Sequence, residues 1–137
     1  YKRLNNIIEK LPDNINVKFT GLLNLEEIDS ELSKADLFVS SSLNENYGHS
    51  IVESLSCGLP VLISNFCPWN NLDKYRAGFK LTLDKNKYKE KLLFFYKMDS
   101  VGYRKYKLGA QSYFKKYISA ELHKNKYLNL LSTNKSE

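Results

Sequence analysis

Ser40-Ser41-Ser42-Leu43-Asn44-Glu45-Asn46-Tyr47-Gly48-His49-Ser50-Ile51-Val52-Glu53-Ser54-Leu55-Ser56-Cys57-Gly58-Leu59-Pro60-Val61 decides how this chain is read. Two carboxylates, Glu45 and Glu53, stand with seven residues between them around a glycine that opens a short helix, predicted over residues 50–57. Ile51, Val52 and Leu55 fall within one arc of that helix, and Glu53 lies outside it. Gly58 ends the helix and leads into residues 60–64, an almost wholly apolar strand of the kind covered on both faces in a parallel sheet. A strand, a glycine turn and a helix N-terminus together form a ready anion site, because free N–H groups and the helix dipole point out together. Gly48 permits the positive φ or close approach that such a turn needs. The flanking carboxylates can hold hydroxyls, so a ligand with phosphates in its middle and sugars on either side fits the pattern.

Outward from this segment the chain alternates strands and helices. Upstream, Leu4, Ile7, Ile8 and Leu11 have helical spacing over residues 1–11, and Pro12-Asp13-Asn14 stops that helix. Residues 15–20 alternate apolar and polar and are predicted as a strand ending at Gly21. Residues 25–34 form a helix with acids in its first turn, and residues 35–40 a second strand. Downstream, residues 65–71 are a loop carrying Pro68 and Trp69. Residues 78–83 make a short fourth strand, and helices follow over 87–98, 101–117 and 120–131. This order predicts an α/β fold, a Rossmann-like parallel sheet with flanking helices and right-handed crossovers. No repeat or low-complexity linker interrupts it, so residues 1–137 are expected to be one domain.

Size and composition set bounds. A chain of 137 residues with 42% hydrophobic residues can bury a real core but is short for a complete two-domain enzyme. It begins at Tyr1 and reads like a piece of something longer. No apolar run approaches the roughly 20 residues that span a bilayer. Cys57 and Cys67 lack the spacing of a metal site or disulfide framework, which points to a reducing, cytoplasmic setting. The net charge of +6 is uneven: residues 1–73 carry five Lys/Arg against ten Asp/Glu, and residues 74–126 fifteen against four. A basic C-terminal half can mark an anionic partner, or simply a lysine-rich solvated helical surface.

Each residue of the central segment has a plainer reading beside the chemical one. Ser50-x-x-Glu53 is a capping-box spacing, in which Ser50 caps the helix and Glu53 bonds back to the Ser50 N–H. Glu45 by itself is a loop acid and His49 a polar residue at a loop tip. Cys57 beside Gly58 is expected to be a small packed residue. Tyr103, Tyr106, Tyr113 and Tyr117, with Ala110 between, form a stripe at helical spacing that either packs on the sheet or docks on a further domain.

The whole string resembles the sugar-donor half of the GT-B glycosyltransferases, specifically glycosyltransferase family 4. The residues that carry the resemblance are Ala35-Asp36-Leu37-Phe38-Val39, Glu45-Asn46-Tyr47-Gly48, Glu53-Ser54-Leu55 and Cys57-Gly58-Leu59-Pro60-Val61-Leu62-Ile63-Ser64. Val17-Lys18-Phe19-Thr20-Gly21 looks like the strand–glycine segment that flanks the base in that family. Cys67-Pro68-Trp69-Asn70-Asn71-Leu72 resembles a Pro-Trp variant found in enzymes that build bacterial surface polysaccharides. The resemblance covers residues 15–80 closely and the C-terminal helices loosely.

It implies the C-terminal, donor-binding half of a GT-B enzyme, truncated at its N-terminus, with the helices from about residue 87 included in the domain. It implies retaining transfer from a UDP- or GDP-sugar to a cell-surface glycan or lipid-linked acceptor, with no metal and no cofactor beyond the donor. Glu45 is the catalytic candidate and would bond the donor sugar. Asn46, Tyr47, Gly48, His49 and Ser50 would contact sugar and diphosphate, Glu53 the ribose, and Gly21 and Leu22 the base. Charge on the departing diphosphate would be stabilised electrostatically. The expected partners are the nucleotide sugar, a missing N-terminal acceptor domain and the inner face of a membrane, with no nucleic acid. The acceptor domain and the basic pair that family members set against the diphosphate lie outside this chain, so the chain by itself is expected to be nearly inactive. Two alternatives stay open: a non-catalytic α/β interaction module whose basic half binds anionic lipid or nucleic acid, and a nucleotide-sugar epimerase of the same fold.

Overall fold

The computed structural model describes residues 2–119. Helix α1 spans Lys2–Ile8 and α2 spans Leu25–Lys34, followed by strand β1, Phe38–Ser40. Helix α3, His49–Ser56, crosses to β2, Val61–Ser64, and a long loop leads to β3, Gly78–Leu81. Helices α4, Lys85–Tyr96, and α5, Ser100–Tyr113, complete the α-helical part, and α5 runs on into a π-helical segment, Phe114–Ser119. The sheet has the order β1-β2-β3 and is parallel throughout, with Phe38 opposite Val61 and Val61 opposite Gly78.

Strand β2 is central and entirely buried, as its apolar run predicts for a strand covered on both faces. Its hydrogen bonds extend past the strand ends: Phe38 N–H donates to the Pro60 carbonyl at 3.0 Å, and Asn65 N–H to the Leu81 carbonyl at 2.8 Å. The core gathers where α3, β2 and α5 meet, around Ile51, Leu55, Val61, Ile63, Ala110 and Tyr113, with Ile118 from the π-helical segment. Proline precedes this strand because its missing N–H is not needed there, while its carbonyl is.

Helix α2 lies where the acidic first turn placed it, and its start is a complete capping box. Asn24 Oδ1 accepts from Glu27 N–H at 2.9 Å, and Glu27 Oε2 accepts from Asn24 N–H at 2.8 Å. Asp84 and Asp99 cap α4 and α5 with their side chains alone, Asp84 accepting from the Asn86 and Lys87 N–H and Asp99 from the Gly102 N–H.

The predicted strand over residues 15–20 is not formed. These residues join no strand among the described residues, and Ile15, Val17 and Phe19 stay 50%, 41% and 58% exposed. Alternation marks a strand only when a neighbouring edge takes its N–H and C=O groups. β1, at the edge of the described sheet, pairs with β2 alone. The helix predicted over residues 120–131 lies outside the described residues. Cys57 also departs from expectation: it is exposed at the C-cap of α3, whereas Cys67 is buried beside the Ser64 hydroxyl at 3.6 Å. The α3 face that packs inward ends at Leu55, so the cap residue falls on the outer side.

The tyrosine stripe packs within the domain. Tyr103 donates to the Asp36 carbonyl at 2.9 Å and Tyr113 to the Asn70 carbonyl at 2.7 Å. Tyr106 lies among Phe79, Phe94 and Phe95, and Tyr117 meets Tyr75 edge-on. Among the described residues no helix is long and apolar enough to cross a membrane.

Candidate functional site

Between β1 and α3 the chain makes a loop stitched by short-range hydrogen bonds. Ser42 Oγ donates to the Asn44 carbonyl at 2.9 Å, and the Ser42 carbonyl accepts from the buried Ser64 hydroxyl at 2.5 Å, which ties the loop to the end of β2. Gly48 then takes φ 77° and ψ 62°, the left-handed conformation that glycine adopts without a side-chain penalty. Glu45 Oε1 accepts the Gly48 N–H at 3.0 Å, closing a three-residue turn.

Helix α3 therefore starts at His49, one residue before the predicted start at 50, with Gly48 rather than Ser50 as N-cap and no side-chain cap bond. The Ser50–Glu53 capping box is not formed: Ser50 is already inside the helix, where its N–H cannot be reached by a side chain three residues ahead as a cap would be. The Gly48 carbonyl accepts from both Ile51 and Val52, at 2.9 and 3.0 Å. The amides of His49 and Ser50 have no hydrogen-bond partner among the described residues. A helix always leaves its first amides unpaired, and here the turn assigns one of the neighbouring donors, Gly48, to Glu45.

Glu53 is partly buried one turn into α3, and its carboxylate has neither a hydrogen bond nor an ion pair among the described residues. It borders a cavity of about 320 Å³ together with Ser50, Phe38, Leu32, Leu23 and Thr20. A second carboxylate, Glu31, stands on the same wall but is already neutralised. Lys18 at 3.2 Å and Lys34 at 3.4 Å hold it, and their hydrogen bonds and charges, Lys18 foremost, keep this exposed group below the usual carboxylate range. The unpaired acid in the cavity is thus Glu53.

Ring contacts brace the other side of the turn. His49 is exposed and lies with its ring 5.0 Å from that of Tyr47, and Tyr47 meets Trp69 edge-on at 5.4 Å. Trp69 is 8% exposed, and its indole N–H donates to the Tyr47 carbonyl at 2.8 Å.

The structure brings Glu45, Tyr47, Gly48, His49, Ser50 and Glu53 to one end of α3, with Asn46 exposed on the same turn. It does not bring Gly21 and Leu22 into the cavity wall. Leu22 is fully exposed, and the residues on either side, Thr20 and Leu23, line the cavity instead. Trp69 and Leu32 escaped the sequence reading as members of this site. A tryptophan in a loop is itself a signal, since a buried indole seeks a partner for its N–H, but the partner lies 22 residues away. A larger groove of about 600 Å³, lined by Ser41, Leu83, Tyr88, Leu92 and Tyr96, shares no residue with the turn. The one carboxylate in its wall, Asp84, is taken up as the cap of α4.

No curated protein matches the chain. The family model for glycosyl transferases group 1 matches residues 1–72, which reaches from α1 through the Glu45–Glu53 turn, β2 and Trp69. That match covers more than half of the 137 residues and includes the unpaired acid and the open helix start. The chain belongs to the glycosyl transferases group 1 family.

Proposed function

We propose that residues 1–137 form the nucleotide-sugar-binding, C-terminal domain of a GT-B enzyme of glycosyltransferase family 4. Within such an enzyme the domain binds a UDP- or GDP-sugar, and the sugar passes with retention to a cell-surface glycan or lipid-linked acceptor held by an upstream domain. The observation that supports this reading best is the pairing of two amides, His49 and Ser50, with the carboxylate of Glu53 one turn along the same helix, all three without a partner among the described residues. Anionic phosphate oxygens match the first pair, favoured by the helix dipole, and vicinal ribose hydroxyls match the second.

Glu45 has a double role in this reading. One carboxylate oxygen steadies the turn through Gly48, which leaves Oε2 for a hydroxyl of the donor sugar. The cavity between Glu53, Thr20 and Leu23 takes the ribose and the edge of the base. Charge that builds on the leaving diphosphate is met by preorganised amides, an electrostatic contribution that involves no proton transfer. No metal or further cofactor enters the reading. The enzyme works in the cytoplasm, at the inner face of the membrane.

Calorimetric titration with UDP, GDP and their sugars tests the reading. Glu53→Ala is expected to weaken nucleotide binding at least tenfold, the scale of a lost hydrogen bond to a charged group. If no nucleotide binds the unaltered protein, the reading fails. Salt-sensitive binding to anionic vesicles that Glu53→Ala leaves untouched would favour the interaction module instead.

A further inference from the structure

The peptide unit that joins Tyr47 to Gly48 is held at both ends. Its carbonyl accepts the indole N–H of Trp69 at 2.8 Å, and its N–H donates to Glu45 Oε1 at 3.0 Å. A peptide next to a left-handed glycine is a place where a turn can flip, exchanging the directions of N–H and C=O while the neighbouring chain barely moves. A flip here would break both bonds at once and take Gly48 out of the φ it holds as the N-cap of α3.

We propose that Trp69 is a positioning residue: with Glu45 it clamps the Tyr47–Gly48 peptide and so fixes the start of α3 in its open, donor-ready form. The purpose of the clamp rests on the donor-site reading above, but the clamp itself does not. Trp69 is placed for this role from outside the turn. Its ring is buried against Tyr47, and the next residue, Asn70, is itself anchored twice. The Asn70 carbonyl accepts the Tyr113 hydroxyl at 2.7 Å, and its side-chain oxygen accepts Lys80 Nζ at 2.8 Å. Helix α5 and strand β3 thus hold the loop that holds the turn. Packing alone would not require the indole N–H to meet that particular carbonyl, so the hydrogen bond separates a positioning role from simple burial.

The decisive variant is Trp69→Phe, which keeps an aromatic ring against Tyr47 and removes the N–H donor together with part of the buried indole. Amide hydrogen exchange across residues 47–50 is measured on the intact chain, beside calorimetric titration with UDP and GDP. Exchange at Gly48 is expected to quicken roughly five- to tenfold, the size of one hydrogen bond, and nucleotide affinity to fall by a similar factor. Glu45→Ala opens the other end of the same peptide and is expected to quicken the same amide. The double variant should fall short of the product of the two effects, because both act on one unit. This second variant keeps the proposal open to refutation should Trp69→Phe fail to fold. Unchanged exchange at Gly48 in Trp69→Phe, or effects of the two substitutions that simply multiply, overturns the proposal. If exchange quickens as expected while the unaltered protein binds neither nucleotide, the clamp stands and the donor-site reading falls.

Discussion

Replacing Gly48 by alanine tests the geometry of the turn most directly. At φ 77° any side chain is strained, and for an L-residue the left-handed region costs about 1–2 kcal/mol. A Cβ built there would also stand 2.8 Å from Ile51 Cδ1 and 3.3 Å from Glu45 Cγ. Ile51 is 1% exposed and packed in the core, so it can retreat only by leaving its preferred rotamer or moving its neighbours, at about 1–2 kcal/mol more. The sum is about 2–4 kcal/mol. For a chain of this size each kcal/mol lowers the melting temperature by about 3–4 °C, so a drop of roughly 6–16 °C is expected. Gly21→Ala is the control: its φ of 68° is equally left-handed, but a Cβ there meets nothing within 4 Å. It should cost the strain alone, about 1–2 kcal/mol. Thermal and urea melts of the two variants against the unaltered protein measure both quantities. Equal losses in the two variants would show that the crowding against Ile51 carries no energy. No loss in Gly48→Ala would show that the turn does not need its left-handed residue.

Glu53→Ala should leave the melting temperature within about 2 °C, because a surface-type substitution without partners typically changes stability by no more than about 0.5 kcal/mol, and a capping role would cost about 1. Asn24→Ala, which does break a complete capping box, is expected to cost about 1 kcal/mol and to raise amide exchange selectively at Glu27. Gly78→Ala should abolish folding, seen as loss of the cooperative melt. A Cβ there would lie 1.8 Å from the Val61 carbonyl oxygen, which is backbone at the middle of the sheet and cannot step aside. Alkaline titration should also show a burial effect. Burial pushes the Tyr113 phenol up to about 12. The native state holds that proton longer than the unfolded chain, whose phenols ionise near 10, so its contribution is complete below pH 10 and is lost as pH rises from 10 toward 12. Tyr113→Phe is therefore expected to be less stable at pH 8, through loss of the Asn70 bond, yet to show a flatter decline between pH 10 and 12 in urea melts.

Much of the architecture is legible in the residues because it is written locally. The acidic start and lysine end of α2 place it over the same ten residues that the structure assigns. The apolar run of β2 announces a strand covered on both faces, and it is buried at every position. Residues 15–20 carry an equally clear alternation and form no strand, since alternation reports which faces differ but not whether an edge is on hand to pair with. Spacing also misjudged Ser50-x-x-Glu53. The capping box needs serine at the non-helical position before the first turn, and Gly48, by taking that position itself, moved Ser50 inside.

By itself the sequence determined the α/β order, the parallel sheet and the clustering of Glu45, Gly48 and Glu53 around one helix start, because each depends on near neighbours in the chain. Tertiary structure decided which of those groups remain available for a ligand. Glu45 is half engaged by Gly48, Glu31 is paired with Lys18 and Lys34, Glu53 is unpaired among the described residues, and the Tyr47–Gly48 peptide is fixed by an indole 22 residues away. Availability is a matter of who else is within hydrogen-bonding distance, and for a carboxylate or a carbonyl that is set by segments the local pattern does not mention.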